Sequence, residues 1–342
     1  MTRRAHRVAF LIGMSVAACG GRDAAPDAAA PDGHVSSAED GGSPRGDAGE
    51  SDSGALDASA HDAGAHDAGA HDAGACTPIA AMERRDVPYL VRGSPAADAL
   101  TLLDIYPPAE PGCGRPIVLW VHGGAWTVGD KANQMVDKIP YVRGLGAILV
   151  STNYRLTTVG SGVEHPDHVE DVAAAFAWVH EHARELGGDP TRIAVLGHSA
   201  GAHLVALMAT NPRFLAAHAL SPRDLACVGS YDTEYTVSEI VARDSAYTAV
   251  FGSDPAGWED ASPSSHTMDG GGLRLAQLAC RGSGPRRAQC EAFADALRSA
   301  GVTTTTIDAS SLSHEEVNDR IGAPGDTVMT PFVSELLREC WR

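Results

Sequence analysis

Arg192-Ile193-Ala194-Val195-Leu196-Gly197-His198-Ser199-Ala200-Gly201-Ala202-His203-Leu204 is the stretch that decides the fold. Its first five residues, apolar and partly β-branched, read as a buried strand, and the Ala/Leu/Val/Met run after Ser199 has helical spacing. Between them stands a Gly-x-Ser-x-Gly turn. A nucleophilic serine needs such a sharp strand-to-helix bend, and the flanking glycines let the backbone approach itself without a Cβ clash.

Outward from this turn, residues 76–342 alternate strand and helix. Ala99–Tyr106, Pro116–Val121, Ala147–Thr152, Leu225–Gly229, Leu275–Cys280 and Val302–Ile307 read as strands. Asp171–Leu186, Ala288–Ala300 and Val328–Cys340 read as helices. Short strands alternating with helices imply an α/β domain, a mostly parallel sheet with helices on both faces. The segment Tyr231–Gly272, rich in Asp, Ser, Gly and Tyr, fits neither element and is expected to form a lid or a wall of the substrate cleft.

His122-Gly123-Gly124-Ala125-Trp126 follows the Pro116–Val121 strand directly. Acyl transfer develops negative charge on a carbonyl oxygen, and backbone N–H groups aimed at that oxygen stabilise it. Gly123 and Gly124 are the expected donors, completed by the N–H of Ala200 after the serine. Ser199 also needs a base, and His314, the last histidine and one that follows the Thr-rich strand, is the candidate. His198 and His203 flank the serine and read as packing or capping residues, and His122 as an organiser of its own loop.

The His122-Gly-Gly-Ala-Trp turn, Asn153-Tyr154-Arg155-Leu156, the run Asp189–Leu204 and the late His314 together resemble the α/β-hydrolase esterases related to hormone-sensitive lipase, in the branch holding carbohydrate and feruloyl-type esterases and kynurenine formamidases. The resemblance covers roughly Leu100–Leu337. It implies an α/β-hydrolase fold and a serine esterase acting on a small-molecule ester, with Ser199 as nucleophile, His314 as base, and Gly123, Gly124 and Ala200 as oxyanion hole. Neither a metal nor an organic cofactor is expected. Trp126 and Tyr154 either line the acyl pocket or pack.

The triad acid of this family follows the penultimate strand. Here that place reads Cys280-Arg281-Gly282-Ser283-Gly284-Pro285-Arg286-Arg287, and no carboxylate lies between Asp269 and Glu291. An acid holds the base in its working tautomer, and its loss costs on the order of ten-thousandfold in rate. Asp232 is the first substitute, although a turn or helix-start role also suits it; Asp308 and Glu315 are the others. The further readings are a slow enzyme working with Ser199 and His314 alone, a catalytically impaired fold kept for ligand binding, and an arylformamidase-like amidase.

The ends of the chain set its setting. Residues 1–19 combine Arg3, Arg4 and Arg7 with an apolar stretch too short to span a bilayer and a Val16-Ala17-Ala18-Cys19 sequence resembling a lipobox, so a lipoprotein signal peptide with lipidation at Cys19 is expected. A lipid anchor would tether the protein without making it transmembrane. The expected location is the bacterial cell envelope, with the outer membrane and secretion as further destinations. Residues 20–75 are Ala, Asp, Gly, Ser and Pro-rich, end in three His-Asp-Ala-Gly-Ala repeats, and carry most of the excess negative charge of a chain with formal net charge −18. Without aromatic residues they read as a solvated acidic tether whose histidines are either spacers or metal ligands. This charge excludes nucleic acid as a partner. Six cysteines besides Cys19 suggest disulfides, with Cys227 near Cys280, Cys290 near Cys340, and Cys76 left for Cys113.

Overall fold

The computed structural model describes residues 82–267 and 271–342. The signal peptide and Cys19, the tether with its repeats, and Cys76 lie outside these residues.

Eight strands form one sheet: β1 (Arg84–Pro88), β2 (Leu102–Tyr106), β3 (Arg115–Val121), β4 (Ile148–Thr152), β5 (Gly188–His198), β6 (Cys227–Tyr231), β7 (Leu275–Cys280) and β8 (Thr303–Asp308). Their order across the sheet is β1-β2-β4-β3-β5-β6-β7-β8. β2 is antiparallel to both β1 and β4, and every pairing from β4 through β8 is parallel. This is the α/β-hydrolase arrangement that the sequence leads one to expect.

Parallel strands buried on both faces explain why the sequence lacks polar alternation there. Along β3, Ile117, Leu119 and Val121 belong to one core cluster, whereas Val118 and Trp120 belong to the cluster on the opposite face. Helices Asp167–His182, Ala200–Thr210 and Pro285–Ser299 cover the first face, and Met329–Cys340 covers the second. The second face also receives Lys138, whose ammonium lies 4.8 Å from the Trp120 ring centroid and donates to the carbonyls of Gln134 and Asn318 at 3.1 and 2.9 Å. Burial pushes the Lys138 ammonium down to about 8.

The sheet faces correct the expected disulfides. Cys227 pairs with Cys340, and Cys280 with Cys290. The register sets Val228 beside Ala276 and Tyr231 beside Ala279, so Cys227 begins its strand while Cys280 ends the neighbouring one. Five residues of strand separate them along the sheet, roughly 16 Å, well beyond disulfide reach. Cys280 and Cys290 lie in one core cluster and Cys227 and Cys340 in the other. A Cys290–Cys340 bond would have to cross the sheet.

The segment expected to be irregular contains the end of β6 and three short helices, Val237–Arg243, Thr248–Phe251 and Pro255–Asp260. Tyr247 and Phe251 pack edge-on against Trp126, which brings this segment onto the turn that follows β3.

Candidate active site

The site is built at the carboxyl ends of β3, β5 and β6 and on the loop after β8. β5 ends at His198, and Ser199 takes φ 56° and ψ −123° before the helix Ala200–Thr210 begins. A non-glycine residue in the left-handed region is strained, and here the strain lifts the side chain off the sheet edge. The turn is possible because Gly201 lies where any Cβ would sit 2.3 Å from the Val121 carbonyl oxygen.

Gly123 of the neighbouring turn is equally constrained. A Cβ there would stand 3.0 Å from both Cβ of Ser199 and the carbonyl oxygen of His198. The loop therefore lies flat against Ser199. The N–H groups of Gly123, Gly124 and Ala200 donate to no acceptor among the described residues. The Gly123 main chain, one of the expected donors, thus lies against Ser199.

His314 heads the helix His314–Asp319. Ser313 caps that helix: its hydroxyl accepts from the Glu316 N–H at 3.2 Å, and the Glu316 carboxylate accepts from the Ser313 N–H at 2.9 Å. The His314 ring so placed has Nε2 2.9 Å from Ser199 Oγ and Nδ1 2.6 Å from Asp232 Oδ2. Serine, histidine and aspartate form one hydrogen-bonded line. Asp232, first among the substitutes, is the carboxylate that meets the histidine; Asp308 pairs with Arg287, and Glu315 accepts from Gln134.

Asp232 is a buried carboxylate, with a side chain 1% exposed. Burial opposes its charge. The hydrogen bond from His314, together with the Arg286 and Arg281 guanidiniums, outweighs that and holds its carboxyl well below the usual carboxylate range. Arg281 Nε donates to Oδ2, while Arg286 Nε donates to Oδ1 at 2.8 Å and its Nη2 to the Asp232 carbonyl at 2.8 Å. The loop in which an acid was sought supplies two cations instead, and both turn toward the acid on the adjacent strand.

The flanking histidines are structural. His198 Nε2 bonds the His314 carbonyl at 2.9 Å, tying the end of β5 to the helix His314–Asp319, and burial with the nearby His314 pushes the ring down to about 3. His122 stacks on Tyr154 at 4.5 Å and donates from Nδ1 to the Gly123 carbonyl at 2.7 Å; burial lowers it to about 4. Tyr154 is fully buried and donates to the His122 carbonyl, so it packs rather than lines a pocket. His203 is buried, 5.1 Å from the Trp126 ring. Trp126 is itself 5% exposed within an aromatic group formed by His203, Tyr247 and Phe251.

One group among the described residues has the shape of a metal site: His198, Asp232 and His314 offer ligand atoms within 4.8 Å of one another. Its donors are already committed to the hydrogen bonds above, and two guanidiniums on Asp232 repel a cation. The ensemble is suited to proton transfer: a hydroxyl bonded to an imidazole that a carboxylate orients.

Sequence reading missed two contributors. The arginines were visible only as the absence of an acid, because their partner lies 49 and 54 residues away in sequence. The cap on the helix His314–Asp319 had a readable signal, Ser313-His314-Glu315-Glu316, the serine-x-x-glutamate pattern of a capping box.

A family model described as BD-FAE matches residues 103–223. The probable carboxylic ester hydrolase LipM of Mycobacterium tuberculosis is 43% identical over 97 residues, which cover 28% of this chain and 22% of LipM. The carboxylic ester hydrolase LipN of the same organism is 31% identical over 227 residues, covering 60% of this chain and 58% of LipN. The chain spans less than a third of the length of the first curated relatives it matches. A solved structure described as a truncated form of a carbohydrate esterase from gut microbiota superposes with a TM-score of 0.61 at 17% identity, covering 77% of this chain and 97% of that one. At that identity the likeness carries the fold.

Proposed function

We propose that this chain, an α/β-hydrolase by its fold, hydrolyses carboxylic esters of short or moderate acyl length, with Ser199 as nucleophile, His314 as general base and acid, and Asp232 as the orienting carboxylate. The observation that carries the reading is the unbroken line from Ser199 Oγ through the His314 ring to Asp232, at 2.9 and 2.6 Å.

In this reading His314 Nε2 takes the Ser199 proton as Oγ attacks the ester carbonyl carbon. The carbonyl electron pair moves onto oxygen, facing the N–H groups of Gly123, Gly124 and Ala200. The tetrahedral adduct collapses, His314 returns the proton to the departing alkoxide, and the alcohol leaves an acyl-Ser199. Water then repeats the sequence, with His314 as base, and releases the carboxylic acid. Asp232 stabilises the imidazolium in both halves without taking its proton. LipM and LipN, named as carboxylic ester hydrolases, support the reading.

Hydrolysis of short-chain p-nitrophenyl esters by the full chain, compared with Ser199→Ala, tests this function. Equal rates in both proteins reject it. The same reading places the enzyme in the cell envelope on a lipid carried by Cys19, supported by the basic, apolar, small-residue order of residues 1–19. Incorporation of labelled palmitate that is unaffected by Cys19→Ala rejects that anchor.

A further inference from the structure

We propose that Arg281 and Arg286 are positioning residues: together they clamp the Asp232 carboxylate against His314 and so hold the imidazole in line with Ser199. This rests on the triad reading above and extends it to two residues on a different strand connection.

The argument begins with a carboxylate that is almost wholly buried. Such a group needs its lone pairs filled, and any rotation of its plane would move Oδ2 away from the histidine. Oδ2 receives His314 and Arg281, and Oδ1 receives Arg286, which also holds the Asp232 carbonyl. Both oxygens and the main chain of one residue are therefore fixed from one side. The element that does this is itself fixed. Arg281 follows Cys280 at the end of β7 and Arg286 lies in the first turn of helix Pro285–Ser299, and the Cys280–Cys290 bond closes the ten-residue span carrying both. Side-chain exposures of 24% and 29% leave both guanidiniums partly in contact with solvent.

The clamp has an electrostatic consequence. Asp232 with two arginines carries a net positive charge, so each guanidinium disfavours an imidazolium on His314. Other charged groups around the ring are engaged elsewhere. His198, 4.5 Å away, is neutral in the fold. Glu315 accepts from Gln134, Glu316 serves the Ser313 cap and Arg320, Asp308 pairs with Arg287, Asp319 lies toward Lys138, and Lys138 donates to main-chain carbonyls. Among these groups, only Arg281 and Arg286 touch the carboxylate that touches the base.

The test is histidine titration by NMR on the full chain labelled at its histidines, with His314→Asn assigning the resonance. Arg281→Gln and Arg286→Gln each leave one arginine holding Asp232, and each should raise the His314 midpoint by about half to one pH unit. Arg281→Lys keeps the charge and should return the midpoint toward wild type. In turnover, the acid limb of kcat/KM should move by the same amount, and kcat at pH 7.5 should fall about tenfold with KM within about twofold. Midpoints unchanged in both glutamine variants, with melting curves intact, overturn the clamp. Should one variant fail to fold, the other and Arg281→Lys carry the comparison. The titration needs no turnover, so a wild-type chain that leaves esters intact rejects the esterase reading while the clamp is still decided.

Discussion

Ser199 and Asp232 leave neighbouring parallel strands with the same sign and nearly the same value of φ, 56° and 53°. Each is tied by its N–H to the next strand over, Ser199 to the Tyr231 carbonyl at 3.0 Å and Asp232 to the Ala279 carbonyl at 3.1 Å. One device used twice delivers the hydroxyl and the carboxylate to the same edge of the sheet. The histidine, arriving on a separate helix, needs only to fall between them. Residues in this conformation persist where surrounding structure over-determines them, and the ladder of β5, β6 and β7 does so here.

Asp232→Asn keeps a residue that tolerates the left-handed region but removes the charge. kcat at pH 7 to 8 should fall on the order of ten-thousandfold. Thermal stability should fall as well, because two guanidiniums lose their common counter-ion. A loss in kcat smaller than tenfold rejects Asp232 as the orienting acid.

Gly123→Ala places a methyl group 3.0 Å from Cβ of Ser199 and the His198 carbonyl oxygen. The turn at Gly123 has to retreat. kcat should fall about a hundredfold, while the melting temperature changes little because the turn lies at the sheet edge. Wild-type kcat in the alanine variant means that this loop does not face the reacting carbonyl.

Replacing Cys227 and Cys340 together by serine opens a link between residues 113 apart, whereas replacing Cys280 and Cys290 opens one spanning ten. On chain-entropy grounds the first costs about 4 to 5 kcal/mol and the second about 3. Denaturant titration of the two double variants checks the order, and a larger loss from the short link contradicts it.

Four buried histidines make the fold acid-sensitive. Burial lowers His122 and His168 to about 4 and His198 and His203 to about 3. Unfolding restores their ordinary affinity for protons, so below about pH 6.5 the unfolded chain binds more protons than the folded one and stability falls with pH. Each contributes roughly 1 to 2 kcal/mol of loss by pH 5. Urea midpoints should drop between pH 7 and 5, and His168→Asn, if it folds, should flatten that slope. A midpoint constant across this range rejects the assignment.

The sheet was legible where strands are buried on both faces, since Ile117–Val121 and Ile193–Leu196 are continuous apolar runs and Leu275–Cys280 is interrupted only by Gln277. β1 was not. Its sequence Arg-Arg-Asp-Val-Pro is polar, mostly exposed and at the sheet edge, and it is a strand only because β2 offers it a partner. The helix Lys138–Gly144 contains Pro140 and is too short for a periodic signal. At the site, Ser199, Gly123, Gly124 and Ala200 could be located from the turns they form after apolar strands, and His314 from its place after the Thr-rich strand. Asp232 was ambiguous because the side chain that defines its role lies 82 residues away. The cysteine pairing failed for the same reason: sequence order does not record which face of the sheet a residue lies on.

The Cys227–Cys340 bond turns the last third of the fold into a covalent ring. Asp232 and His314 lie within it, as does the smaller Cys280–Cys290 ring that carries the two arginines, while Ser199 lies outside. A protease cut at any one peptide bond from residue 228 to 339 leaves both fragments joined. Nicked protein will therefore migrate as one species until a reductant is added, and intact mobility without reductant says nothing about whether the backbone between Asp232 and His314 is whole.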